Sequence, residues 1–164
     1  TELKINEIGQ IEVRGANVFK GYWKMPEKTN AELRENGFFI TGDLGKIDED
    51  GYVHILGRDK DLIISGGYNI YPKELEEIID DQVGVLESAV IGVPHPDFGE
   101  TPIALIVSQT EITPDLEVIE NNLRKSLARY KHPRKFFIID KLPRNTMGKV
   151  QKNILREEYG SLFS

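Results

Sequence analysis

The chain has 164 residues, 39% hydrophobic and 29% charged, with 27 acidic side chains against 21 Lys and Arg and a formal net charge of −6. That balance excludes a chain drawn to nucleic acid or an anionic bilayer by its overall charge, leaving at most a local basic groove for a phosphate-bearing ligand. The absence of cysteine excludes disulfides and thiol chemistry, and three scattered histidines, His54, His95 and His132, do not make a structural zinc site. The longest apolar runs, Leu62-Ile63-Ile64 and Phe136-Phe137-Ile138-Ile139, fall far short of the roughly 18 residues of a membrane span. The start, Thr1-Glu2-Leu3-Lys4, has neither a basic leader nor an apolar stretch. The expectation is a soluble, cytoplasmic chain with a real hydrophobic core.

In chain order, Gly9 to Gly15 and Gly51 to Gly57 alternate polar and apolar residues, the period of half-buried strands. Strands near residues 10 to 14 and 46 to 56 are therefore predicted, with Asp48-Glu49-Asp50-Gly51 as a turn. Phe19, Tyr22 and Trp23 read as packing groups around a turn rather than as a nucleic-acid platform, because no basic residues interleave with them in the required way. A short amphipathic helix begins at Pro72, with Leu75, Ile78 and Ile79 on one face. Glu87 to Val93 and Ile103 to Ser108 read as strands. Thr113 is the expected cap of a second helix, with Pro114 at its first position and Leu116, Ile119, Leu123 and Leu127 along one face as far as Tyr130. Lys135 to Asp140 reads as a further strand and Val150 to Tyr159 as a last helix. The order helix, strand, strand, helix, strand, helix after about residue 60 predicts a compact α+β domain, preceded by a small β-rich piece. The boundary falls near Arg58-Asp59-Lys60-Asp61, where no Pro-rich or Ser-rich spacer is present and a tight hinge is expected. The division is thus residues 1–59 and residues 60–164.

Three segments combine Gly-rich backbone with carboxylates and cations: Phe39-Ile40-Thr41-Gly42-Asp43-Leu44, Gly57-Arg58-Asp59-Lys60-Asp61 running on to Ser65-Gly66-Gly67-Tyr68-Asn69-Ile70-Tyr71-Pro72, and Leu142-Pro143-Arg144-Asn145-Thr146-Met147-Gly148-Lys149-Val150. On their chemistry alone they suggest phosphate or nucleotide binding, although none is a Walker loop or a dinucleotide fingerprint. Taken together, their order and spacing resemble the adenylate-forming superfamily of acyl-CoA synthetases, luciferases and nonribosomal peptide adenylation domains, over essentially the whole chain. Within it the likeness is greatest to the malonyl-CoA synthetases, through Gly37 to Gly45, Ile63 to Glu74 and Pro143 to Lys152.

The resemblance implies a fold in which the first 59 residues are the β-rich end of a large N-terminal domain and the remainder is a mobile C-terminal domain. It implies that Asp43 accepts hydrogen bonds from the ribose hydroxyls of ATP, a task suited to a carboxylate facing two vicinal donors, with Arg58 holding the ribose from the hinge side. Lys149 is implied as the catalytic cation of adenylation, stabilising charge as a carboxylate attacks the α-phosphorus and pyrophosphate leaves. Lys60 occupies the hinge position. Ser65, Gly66 and Gly67 are implied as the face presented to the pantetheine arm of coenzyme A, and Glu100 as a stabiliser of a loop near that second arrangement. Lys131, with Arg124, Lys125 and Arg129, either meets coenzyme A phosphates or solubilises a helix face.

The phosphate loop, the adenine pocket and most of the acid pocket of this family are not visible here, so the chain reads as the C-terminal part of a longer enzyme, inactive alone. Its expected partners are that missing N-terminal part and a carboxylic acid, malonate by the closest likeness, with Mg2+ accompanying ATP through ligands outside these residues and no protein-bound metal within them. Another small- or medium-chain or aryl acyl-CoA ligase is the alternative enzyme. A noncatalytic nucleotide-binding or interaction module is the alternative of another class, and Asp43, Arg58 and Lys149 together argue against it because packing alone does not require that trio.

Overall fold

The computed structural model describes residues 1–164, which fall into two compact units, Thr1–Lys60 and Asp61–Ser164. The first is a four-stranded antiparallel sheet of β1 (Glu2–Ile5), β2 (Gln10–Arg14), β3 (Phe39–Ile47) and β4 (Val53–Arg58), in that order, with one short helix, α1 (Pro26–Glu32), between β2 and β3. The Asp48 to Gly51 turn joins β3 to β4, and Asp48 Oδ1 accepts from the amides of Asp50 (3.1 Å) and Tyr52 (2.8 Å), the local bonding that makes Asp a turn residue. The strand predicted from 46 to 56 is thus two strands and their turn. β1 and α1 escaped the sequence pattern: α1 has no buried residue, hence no apolar period to read. Phe19 packs edge-on against Tyr22 (4.9 Å) and Phe39 (5.0 Å) as expected. Trp23 does not join them; at 85% exposure it lies on the surface, beside Lys24, whose φ of 54° is positive, and just before Pro26 starts α1.

One charged group is wholly inside this unit. Glu12, directly opposite Lys4 across the β1–β2 ladder, is 1% exposed. Its Oε1 accepts from Arg34 Nη2 at 2.7 Å and from Asn6 Nδ2 at 3.1 Å, and its Oε2 lies 3.0 Å from the Lys4 ammonium. The Arg34 hydrogen bond, aided by Lys4 and Asn6 and opposed by burial, holds the Glu12 carboxyl at about 2.

The second unit is a five-stranded mixed sheet with helices on both faces. β8 (Gly99–Ser108) lies at its centre, paired antiparallel along one edge with β7 (Val85–His95). Its other edge carries β5 (Ile63–Ser65) at its start and the parallel strand β9 (Phe136–Ile139) further on, with β6 (Tyr68–Ile70) beyond β5. Alternation sorts the side chains. Val90, Ala104 and Ile106 meet Leu75 and Ile79 of α2 (Pro72–Asp80) and Ile119 and Leu123 of α3 (Leu116–Ser126), whereas Ala89, Ile91, Val93, Ile103 and Leu105 meet Leu142 and Leu155, the latter on α4 (Lys152–Tyr159). The α+β expectation is realised.

Several details differ from the sequence reading. Asp115, not Thr113, caps α3, its Oδ1 accepting from the amides of Glu117 (3.0 Å) and Val118 (3.3 Å), so Pro114 stays outside the helix. The helix stops at Ser126 rather than near Tyr130. Leu127 is extended, and His132 Nε2 donates to its carbonyl at 2.9 Å to close a separate short turn, Arg129–Lys131. The β5–β6 hairpin was also unread, since three-residue strands are too short to display alternation.

Gly84, between α2 and β7, has a φ of 84°, and a Cβ there would stand 2.9 Å from Pro114 N and 3.0 Å from Ile112 O. Left-handed strain and backbone overpacking then act together. Gly84→Ala is expected to cost about 2–4 kcal/mol, read as a lower urea midpoint with an unchanged slope.

Candidate functional site

The residues singled out in the first unit come together on neighbouring strands. Asp43 on β3 is the register partner of Arg58 on β4, and Arg58 Nε lies 3.1 Å from Asp43 Oδ1. Arg58 Nη1 also donates to Thr41 O at 3.1 Å. Gly42, with a φ of 75°, makes the kink that aims Asp43, and a Cβ there would stand 3.6 Å from Arg58 Nη1. Thr41, to which no role was given from sequence, locks the turn: its hydroxyl donates to Ile11 O at 2.9 Å and accepts from the Asp43 amide at 3.1 Å. The signal was there in Thr-Gly-Asp, since a hydroxyl two residues before an amide is a local turn lock. The Asp43 carboxylate is part-exposed, so the pair offers a ligand an oriented carboxylate with a guanidinium beside it.

Lys60 lies in a short turn, Asp59–Asp61, at the limit of the first unit. The next residue, Asp61, is held by Arg156 Nη2 of α4 at 2.5 Å.

In the second unit Gly66 and Gly67 form the two-residue turn of the β5–β6 hairpin, with φ of 56° and 83°. Positive φ at both central positions is what the tightest hairpin requires. The space outside the turn is open: no atom lies within 4 Å of a Cβ built on Gly67, and only Phe98 approaches one on Gly66, at 3.5 Å. Ser65, just before it, is buried. Glu100 Oε2 accepts the Ile64 amide at 3.1 Å, and Gly66 N donates to Phe98 O at 2.9 Å, so the hairpin is tied to the start of β8. Glu100 therefore anchors the strand that ends in the Gly-Gly turn. Lys131 is already engaged: its ammonium sits 2.7 Å from Glu74 Oε2 in the first turn of α2 and is only 18% exposed. Arg124 is paired with Glu120, leaving Lys125 and Arg129 as exposed cations on that face.

Lys149 lies at the end of a tight loop. Arg144 and Val150 form an isolated antiparallel bridge, the Asn145 amide donates to Lys149 O at 2.9 Å, and Asn145 Oδ1 accepts from the amides of Met147 (3.0 Å) and Lys149 (2.9 Å). Gly148, with a φ of 78° and nothing within 4 Å of its missing Cβ, completes the turn. Of the cations on or beside this loop, Arg144 is paired with Glu87 and Lys152 with Glu76, while Lys149, like Lys141 just before the loop, is exposed and enters no ion pair. An unneutralised ammonium on an ordered backbone is the group that can stabilise developing phosphate charge. Asn145 was legible as part of the motif but not as its organiser; an Asn capping amides two and four residues ahead is the signal that was available.

No group of three His, Asp or Glu side chains converges anywhere in the chain. No helix is long and apolar enough to cross a membrane.

Residues 74–149 match the family described as AMP-binding enzyme C-terminal domain. The chain is 61% identical to the ATP-bound MatB of Rhodopseudomonas palustris, with a TM-score of 0.86 over 95% of this chain and 31% of that one. It is 36% identical to the o-succinylbenzoate CoA synthetase (MenE) of Bacillus subtilis in complex with its acyl-adenylate intermediate, with a TM-score of 0.87 over 94% of this chain and 33% of that one. Among curated proteins it is 45% identical over 157 residues to the 3-[(3aS,4S,7aS)-7a-methyl-1,5-dioxo-octahydro-1H-inden-4-yl]propanoyl:CoA ligase of Rhodococcus jostii, covering 96% of this chain. It spans 30% of that ligase's length.

Proposed function

We infer a function from one premise: this chain belongs to the adenylate-forming superfamily, with the AMP-forming acyl-CoA ligases. It is the C-terminal part of a longer ligase that joins a carboxylic acid to ATP, releasing pyrophosphate, and then transfers the acyl group from AMP to the thiol of coenzyme A. The observation that carries the reading is Lys149, an exposed, unpaired ammonium on an ordered loop whose one other cation, Arg144, is paired with Glu87. The acid needs no general base, because it is already a carboxylate at neutral pH. What the chain contributes is positive charge for the pentavalent phosphorus and its departing pyrophosphate.

Asp43 and Arg58 bind the ribose. The part-exposed Asp43 carboxylate accepts from the vicinal hydroxyls while Arg58 holds it in place. A charge-assisted hydrogen bond contributes about 1.5–3 kcal/mol, so Asp43→Ala is expected to raise the ATP KM by about 10- to 100-fold. Asp43→Asn, which keeps one acceptor, loses less. Steady-state kinetics at saturating acid check this, and an unchanged ATP KM in the alanine variant rejects the ribose role.

Residues 1–59 are the β-rich end of the N-terminal domain and residues 60–164 the mobile one, turning at Lys60. One orientation presents Lys149 for adenylation. The other presents Ser65, Gly66 and Gly67, where the open surface outside the turn leaves room for the pantetheine arm. Coenzyme A, ATP and the Mg2+ that accompanies it are met largely by the N-terminal part. The action is cytoplasmic.

Malonate is the proposed acid. The support is the 61% identity to MatB together with the motif likeness, set against relatives named for a bicyclic propanoate, succinylbenzoate and long-chain fatty acids at 41–45% identity. The test is AMP release by the full-length enzyme with malonate, 2-succinylbenzoate and a long-chain fatty acid in parallel. Malonate-dependent AMP release supports the assignment. Turnover of another acid that still depends on Lys149 keeps the mechanism and replaces the substrate, and no turnover with any acid favours a noncatalytic module.

A further inference from the structure

We propose that Glu87 of β7 is a positioning residue for adenylation, acting through Arg144 to hold the loop that presents Lys149; this rests on the catalytic reading of Lys149 given above. The placement of Glu87 has a specific cause. On a regular strand Val85 and Glu87 would share a face. Val85 pairs with Ser108 and Glu87 with Val107, so Leu86 is an extra residue and the ladder is bulged between them. Val85 consequently packs with Val90 toward α2 and α3, while the residues in step with Glu87, namely Ala89, Ile91 and Val93, pack toward Leu142, Val150 and Leu155. The bulge thus delivers a carboxylate to the side of the sheet from which the Lys149 loop emerges.

There Glu87 Oε2 takes Arg144 Nη2, and Arg144 Nη1 donates to Gly148 O at 2.6 Å. The chain of contacts runs from the sheet through one guanidinium to the peptide immediately before Lys149. The loop's other bonds are of two kinds. Those made by Asn145 set its internal turn but tie it to nothing outside. Those of its flanks, Leu142 and Val150 in the core and Lys152 on Glu76, hold its ends. Glu76 is itself fixed, its Oε1 also accepting the Val90 amide at 2.8 Å. The tip itself has no apolar packing, since Met147 is 75% exposed and the space where a Gly148 Cβ would stand is empty. The Glu87–Arg144 link is therefore the side-chain contact that sets where the tip stands relative to the sheet. Partly exposed ion pairs contribute little to global stability, so its loss should appear as loop disorder rather than unfolding.

The test has two arms. In this chain, Glu87→Ala is expected to speed amide exchange at Met147 and Lys149 by about tenfold while leaving the urea midpoint within error of the parent. Unchanged exchange overturns the proposal whatever the enzymology. In the full-length enzyme, the same variant is expected to lower the adenylation kcat by about tenfold or more, the scale of a misplaced catalytic group, with the ATP KM and the rate from supplied acyl-adenylate to thioester unchanged. Glu87→Gln, which still accepts from Arg144, recovers part of the loss, and Glu87→Ala adds nothing in an Arg144→Ala background. Equal loss in both half-reactions, or additivity with Arg144→Ala, overturns the positioning role. Failure of the catalytic reading shows separately: Lys149→Ala then keeps full adenylation even where the exchange result holds, and the proposed role in adenylation falls with it.

Discussion

Lys149→Ala in the full-length enzyme is expected to lower adenylation by about a hundredfold or more, the range seen when a preorganised group aimed at transition-state charge is removed. Acyl transfer from supplied acyl-adenylate to coenzyme A should be largely spared, because that step expels AMP without breaking the α–β phosphate bond. The asymmetry between the half-reactions is the informative quantity, since misfolding would depress both. Lys149→Arg should recover little. A guanidinium is broader than an ammonium and binds as a planar fork, whereas the loop offers a single point charge whose backbone is fixed by Asn145 at 2.9 Å. Pyrophosphate release from ATP and acid, measured without coenzyme A, isolates the first half-reaction. Unaltered release in Lys149→Ala would remove the basis of the mechanism.

The largest stability effect tied to pH is expected at Glu12. Its carboxyl is held at about 2, against 4.5 for the ordinary group, chiefly by the Arg34 hydrogen bond. A lowered pKa stabilises the fold above the unfolded value and the contribution is lost as the pH falls through the folded one. The stabilisation is therefore complete above about pH 5, declines between about 4.5 and 2, and is gone below. The difference amounts to about 3 kcal/mol for the Thr1–Lys60 unit. Glu12→Gln should remove that dependence, so wild type and variant differ by about 3 kcal/mol at pH 7 and converge near pH 2. Lys4 and Arg34, both partly exposed, can rehydrate once the carboxylate is gone, so no buried cation is stranded in the variant. Amide exchange across β2 at several pH values checks it, and parallel profiles for the two proteins would show that Glu12 is not the acid-sensitive group.

The sequence by itself determined the elements with a clear period and the residues whose chemistry is local. Leu75 and Ile79 on one face of α2 were legible because they recur at helical spacing, and β7 and β8 because burial on both faces makes their central runs apolar. The double-glycine turn and the Gly148–Lys149 pair were legible for a related reason, since positive φ restricts the choice of residue where the chain is read. Asp43 and Arg58, fifteen positions apart, could be named individually. That they face each other at 3.1 Å depends on the β3–β4 register, with its bulge after Leu44, which no local pattern encodes. Tertiary structure alone decided the partners drawn from distant positions. Lys131 looked like a free cation until α2 placed Glu74 beside it, and Glu87 looked like the polar end of a strand until a bulge turned it toward Arg144. Side-chain periodicity reports which face a residue occupies, and a single inserted residue inverts that report without changing the composition of the strand.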